Sequence, residues 1–337
     1  VALGYFVGIG GMPIEPTGLE CYEQYPVMRR WCEEAESWTG IEMQSLFAED
    51  HTAPLIAGSI HSPFEPPDLS VRPEFLYRGQ VRQAVHVLGI SDILAEQGVQ
   101  PDLIVGTSLG GLIAACLAGS LDRKDLFRLF ARVAEMPLAP AGEPARGIAM
   151  IELPPGTDID WYCGAGRPHI NMAADFQNSG ENTLMMLSGY LEDLEHMAAD
   201  APPGHVQVVT GAIGAVHCPD LQFMADMLEP FLAEIDFRDP EIPLLCGVGG
   251  EKLKTGAQLA TGDEIRRSVV ANYVAPVGGF REIIAALGEH GMGLVVATGA
   301  KLPVTVPPGP FPLLQASEPD DIGQIMMMLY DLGLVGA

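Results

Sequence analysis

Basic residues are scarce in this 337-residue chain: 18 Lys and Arg stand against 44 Asp and Glu, a formal net charge of −26. Such a surface repels a phosphate backbone, which excludes nucleic acid as a partner class. An acidic protein partner would have to dock on a local basic patch, for which Arg146, Arg167, Lys252, Lys254, Arg266 and Arg267 are the candidates. The six cysteines (Cys21, Cys32, Cys116, Cys163, Cys218 and Cys246) are dispersed, and none forms the CxxC pairing of a zinc or redox site. They read as reduced thiols of a cytoplasmic protein, and no metal is expected. No apolar run reaches the roughly 18 residues of a membrane span, and no basic start precedes an apolar signal core, so no membrane partner is expected. Val1 as the first residue is the start expected of a trimmed N-terminus.

Hydrophobic residues make up 48% of the chain and charged residues 18%, the profile of a globular enzyme. The length suits one large domain with a smaller one inserted. Residues 2–13 read as a buried strand ending in a glycine turn, 19–48 as a helical zone, and 84–97 as an amphipathic helix feeding a strand at 102–106. A helix is expected over 110–135. The Pro, Gly and Ala-rich segment 137–147 then marks a change of domain.

From there the pattern gives a strand at 147–153, a short helix near 157–163, strands at 168–175 and 183–188, a helix at 189–200 and a strand at 205–210. That order suggests a ferredoxin-like insert. Helices at 219–235, 263–272 and 278–290 alternate with strands at 242–249 and 292–299, which implies a parallel sheet covered on both faces. The Met-rich run 326–328 reads as core filler on a terminal helix. The expected fold is α/β. A hydrolase-like parallel-sheet large subdomain (1–137 and 212–337) carries a ferredoxin-like small subdomain (138–211).

The stretch 106-GTSLG-110 fits GxSxG, the nucleophile elbow, in which flanking glycines let a strand turn abruptly into a helix and lift a serine clear of the backbone. Ser108 would sit at a helix N-terminus, where free amides and the positive end of the dipole favour a developing oxyanion. A serine hydroxyl also needs a base. Of eight histidines, His51, His61 and His290 lie in polar or loop surroundings, and His86, His169, His196 and His205 carry no accompanying motif. His217 differs: it ends the small-residue stretch 211-GAIGAVH-217, just before a proline that opens a helix.

Here the chain resembles the malonyl-CoA:acyl carrier protein transacylases and the acyltransferase domains of polyketide synthases. In that family a GHSxG serine is followed much later by a histidine before a proline-led helix. FVGIGG at 6–11 stands where the family carries FPGQGSQ, Gln80 where it keeps a glutamine, Asn178-Ser179 where it has an Asn-Ser-Pro turn, and 276-PV-277 matches its Pro-Val. The resemblance implies an acylated nucleophile at Ser108, a general base at His217 and an oxyanion hole from the amides of Ile9 and Leu109. It also implies a backbone carbonyl, assigned to Ala275, that orients the histidine. Gln80, Arg132, Val133, Asn178 and Val216 are the implied pocket residues. Acyl groups would arrive as thioesters and leave on the phosphopantetheine of an acyl carrier protein, with no resident cofactor.

The chain also departs from the family pattern. Thr107 and Gly111 replace its His and Glu in the elbow, and Ile9 replaces a Gln. The family's carboxylate-gripping arginine falls at Val133; Arg132 is one position short, about 100° away around a helix. The motif 214-GAVH-217 is neither HAFH nor YASH. These departures point to an acyl group without a free carboxylate, bulky and of the aminoacyl or dipeptidyl kind moved by stand-alone enzymes of macrolactam assembly. The alternatives are malonyl-CoA:acyl carrier protein transfer and hydrolysis of acyl-carrier thioesters. GTSLGG also resembles the patatin lipases, but the chain has no Asp-Gly dipeptide to supply their base. A carrier-binding scaffold with a retired site is disfavoured by the presence of both Ser108 and His217.

Overall fold

The computed structural model describes residues 2–8, 17–48, 72–137, 139–176, 182–209, 214–246, 259–277, 279–298 and 310–334. Strand β1 (Ala2–Val7) is followed by helices α1 (Thr17–Gln24), α2 (Pro26–Thr39), α3 (Met43–Ala48) and α4 (Arg72–Glu96), then β2 (Leu103–Gly106). Next come α5 (Leu109–Leu117) and α6 (Arg123–Ala134). The central section holds β3 (Arg146–Leu153), α7 (Asp160–Cys163), β4 (Ile170–Asp175), β5 (Thr183–Tyr190), α8 (Leu191–Asp200) and β6 (Val206–Val209). A 3₁₀ turn at Pro219–Leu221 leads into α9 (Gln222–Leu232), β7 (Leu244–Cys246), α10 (Gly262–Val274), α11 (Phe280–Glu289), β8 (Met292–Thr298), β9 (Leu313–Ala316) and α12 (Pro319–Asp331).

The strands form two sheets. The larger is fully parallel in the order β7-β2-β1-β8-β9. Its central strands are buried along nearly their whole length, as helices on both faces require, and this explains their unbroken apolar runs. The smaller sheet is antiparallel in the order β4-β5-β3-β6. With α7 between β3 and β4 and α8 between β5 and β6, it has the expected ferredoxin-like βαββαβ sequence.

On one face of the large sheet, α2, α4 and α6 bring Trp31, Leu88 and Phe130 into the main core, each worth about 1.5–3 kcal/mol on burial. Trp31 stays satisfied there because its indole N–H donates to the Val85 carbonyl at 2.9 Å. No helix among the described residues is long and apolar enough to cross a membrane.

Several expected boundaries move. The helix expected over 110–135 is two helices, because Gly119 takes a left-handed φ of +77° and Asp122 starts a new helix, its side chain accepting the Lys124 N–H. The helix read from 84 starts at Arg72. β5 runs on to Tyr190 before α8 begins, and β9 was not expected. The turn residues 9–13 after β1 lie outside the described residues.

Candidate active site

Ser108 stands between the C-terminal end of β2 and the start of α5, at the carboxyl edge of a parallel sheet, where open α/β folds place their ligands. It holds φ +55° and ψ −131°, a combination that costs a non-glycine residue on the order of 1 kcal/mol. The glycines of the motif are present for close approach. A Cβ on Gly106 would press into the Gly110 carbonyl and the Ala114 side chain, and one on Gly110 would meet the carbonyl oxygens of Val7 and Gly8. Gly111 is under no such constraint, since its nearest neighbour would lie at 3.5 Å.

The Ser108 hydroxyl lies 3.0 Å from Nε2 of His217. His217 is buried and also carries a positive φ, +52°. Its Nδ1–H donates to a backbone carbonyl at 2.5 Å, which leaves the Nε2 lone pair directed at the serine. That carbonyl belongs to Asn272 and not, as the resemblance implied, to Ala275. The last carbonyls of a helix lack intrahelical partners, and the residue four places after Asn272 is Pro276, which has no N–H to offer. The next carbonyl, Tyr273, accepts the Cys218 N–H at 2.9 Å. The signal in the sequence was therefore the spacing from Asn272 to Pro276. A second missed residue is Ser188 on β5, which hydrogen-bonds both backbone groups of Val216.

Burial lowers the His217 pKa from 6.5 to about 4, and the hydrogen bond to Asn272 only partly opposes this. The imidazole is therefore a neutral base throughout the physiological range. His86, buried against the Ser317 carbonyl, is lowered to about 4 in the same way. The rate of Ser108 acylation is thus expected to stay flat as pH falls through 6.5, with its acid midpoint below about 5.5; a single-turnover pH series measures it. The sign for stability follows from the same shift. Unfolded histidine takes a proton near 6.5 that the folded chain refuses until about 4. Each of these two residues therefore removes stability as pH drops through that window, by about 1.4 kcal/mol per pH unit.

The remaining expected residues lie on several elements. Leu109 is the first residue of α5, so its N–H is among the helix's orphan donors beside Ser108. Ile9 and Asn178 lie outside the described residues. Gln80 on α4 is half-buried, with an Oε1 that has no hydrogen-bond partner among the described residues. Val216 packs against the small-sheet cluster of Ile148, Met150 and Met186. Arg132 is half-buried on α6, while Val133 is 5% exposed and packs into the main core. Of the basic residues singled out for docking, Arg146, Arg167 and Arg266 are ion-paired with Glu143, Asp200 and Glu229; Lys252 and Lys254 lie outside the described residues.

Compared with solved structures, the chain superposes end to end on a malonyl CoA-acyl carrier protein transacylase from Clostridium perfringens, with a TM-score of 0.75, 17% identity and 99% of both chains covered. The chain has the malonyl-CoA:acyl carrier protein transacylase fold. A second structure of this fold is described as a type II polyketide synthase acyl-carrier protein in complex with its malonyl-transacylase. It matches at a TM-score of 0.73 and 17% identity, over 97% of this chain and all of that one.

Among curated proteins, the malonyl CoA-acyl carrier protein transacylase of Bacillus subtilis is 24% identical over 290 residues, 84% of this chain and 81% of that protein. The spectinabilin polyketide synthase system protein NorC of Streptomyces orinoci is 29% identical over 172 residues, 51% of this chain. That aligned stretch amounts to only 7% of the synthase's length. No family model matches the chain.

These comparisons overturn the expectation of a bulky acyl group without a carboxylate. The two solved structures matched along nearly the whole chain, and the Bacillus subtilis protein matched over 84% of it, are malonyl transacylases by description. The valine on which that expectation leaned is explained by core packing.

Proposed function

We propose that the protein is a malonyl-CoA:acyl carrier protein transacylase that works through a malonyl-serine at Ser108. The observation that carries this reading is the 3.0 Å contact between Ser108 Oγ and His217 Nε2, with the opposite ring nitrogen committed to the Asn272 carbonyl. As the hydroxyl oxygen attacks the malonyl thioester, Nε2 takes its proton, and the imidazolium is stabilised by the carbonyl on the far side. The thioester oxygen becomes an oxyanion for which the amides of Leu109 and Ile9 are the proposed donors, a reading supported by the free N–H of Leu109 at the start of α5. Collapse breaks the carbon–sulfur bond, and the departing sulfur takes from His217 the proton that came from Ser108. The thiol of a carrier-protein phosphopantetheine then enters by the reverse sequence, a ping-pong exchange.

Gln80, Arg132, Asn178 and Val216 are the proposed pocket residues, with the Arg132 guanidinium as the proposed partner of the malonyl carboxylate. A cytoplasmic location is part of the proposal and is supported by six free thiols. A base at His217 favours this chemistry over the Ser-Asp dyad of the patatin lipases.

Intact-mass analysis after exposure to malonyl-CoA tests the proposal. A malonyl adduct on wild type, absent from Ser108→Ala and passed on to holo acyl carrier protein, is the expected result. Release of free malonate in place of transfer would make the protein a hydrolase, and a mass unchanged by malonyl-CoA would remove the substrate assignment.

A further inference from the structure

The loop that carries the catalytic histidine is gripped from the small sheet. Ser188 is wholly buried on β5. Its Oγ donates to the Val216 carbonyl at 2.5 Å and accepts the Val216 N–H at 3.1 Å. Two hydrogen bonds to the backbone of one residue fix its orientation as well as its position. Val216 is the residue immediately before His217, whose φ of +52° lies in the left-handed region. A non-glycine residue stays there only when its flanks are held, because relaxation to negative φ is otherwise downhill. Such a relaxation would swing the imidazole away from both Ser108 and Asn272.

The other flank is held too. The Cys218 N–H is bound to the Tyr273 carbonyl, and Asn171 of β4 donates its side-chain amide to Cys218 Sγ at 3.3 Å. The carbonyl that orients the ring is also referenced to the small sheet, because the Val277 N–H just beyond α10 bonds to the Ala173 carbonyl of β4 at 3.0 Å. Thus the small sheet sets the histidine loop from one side and the end of α10 from the other. Ser188 is the only side chain on β5 for which two hydrogen bonds to this loop are resolved among the described residues.

We infer that Ser188 is a positioning residue: its hydroxyl clamps Val216 so that the placement of the small sheet sets the aim of His217 at Ser108. The inference rests on the Ser-His reading given above and adds to it the means by which the inserted domain governs the dyad.

The test uses a fluorophosphonate, which reacts with an activated serine and requires neither an acyl donor nor a carrier protein. Labelling is followed by intact mass in wild type, Ser188→Ala, Ser188→Thr and, as a blank, Ser108→Ala. Rates are normalised to the folded fraction seen in thermal melts. The first-order rate at saturating probe is expected to fall by about 30-fold in Ser188→Ala, the loss typical of a small misalignment of a catalytic group. The half-saturating probe concentration should stay within about twofold, since the pocket itself is unchanged. Threonine, which keeps the hydroxyl, is expected to restore the rate to within about threefold of wild type. Ser188→Ala labelled as fast as wild type, or Ser188→Thr as slow as Ser188→Ala, would overturn the inference. A wild-type protein labelled no faster than the Ser108→Ala blank would instead overturn the Ser-His reading, and the inference with it.

Discussion

Alanine at Ser108 is expected to abolish acyl-enzyme formation, lowering the rate of carrier-protein acylation by on the order of 10⁴-fold or more. The hydroxyl is the atom that forms the covalent bond, and among the described residues His217 hydrogen-bonds no other nucleophile. His217→Ala should cost on the order of 10³- to 10⁴-fold, because Ser108 then has to release its proton to water. The double variant should be no slower than Ser108→Ala alone, since the two groups act as one unit and their losses do not add. Stopped-flow acylation of all three variants checks this, and additive losses would show that the pair does not work together.

The same positions make a prediction about stability. Ser108 holds a backbone conformation that suits only glycine well, so Ser108→Gly should lose the activity yet melt at or above the wild-type temperature. Strain at a site is released when the function that required it is removed.

A single methyl group at Gly110 is expected to be nearly as damaging to the fold as Ser108→Ala is to catalysis. The added Cβ would sit 2.5 Å from the Val7 carbonyl oxygen and nearer still to that of Gly8, which are backbone atoms at the end of β1. No rotamer change can relieve such a contact, so α5 would have to move off the sheet or β1 shift along it. Overpacking of this kind costs about 3 kcal/mol or more. It would also displace the Leu109 N–H proposed as an oxyanion donor. Gly111→Ala is the control one residue along: its Cβ would make only ordinary contact with the Gly106 carbonyl at 3.5 Å, and alanine is the better helix former. Chemical denaturation should therefore show a large loss for Gly110→Ala and none for Gly111→Ala. Equal effects would mean that the elbow is looser than its geometry indicates.

Much of the site was legible in the chain before any coordinates. GTSLG specified the turn, because its two outer glycines are the positions where β2, α5 and β1 leave no room for a side chain. His217 stood out from seven other histidines by the small residues before it and the Pro219-led turn after it. The alternation of buried runs and amphipathic helices specified the parallel sheet, and the βαββαβ order of the insert specified the antiparallel one.

Other features were not legible, each for a definite reason. The split of the helix after Ser108 depended on the left-handed backbone of Gly119 and on the Asp122 side chain capping a new helix, neither of which interrupts the apolar period on either side. For Val133, periodicity shows that the residue faces inward but not which interior it faces. Packing put it in the main core.

By itself the sequence determined the nucleophile, the base and the two-sheet architecture, because each is written in local chemistry: glycines at a tight turn, a proline after a histidine, and the period of the apolar residues. Only the tertiary structure decided which carbonyl orients the imidazole, that a hydroxyl on β5 grips the histidine loop, and that the base is kept neutral by burial. These are contacts between segments 28 to 109 residues apart along the chain. Hydrogen bonding and desolvation at such range depend on how the elements pack, and no window of sequence contains them.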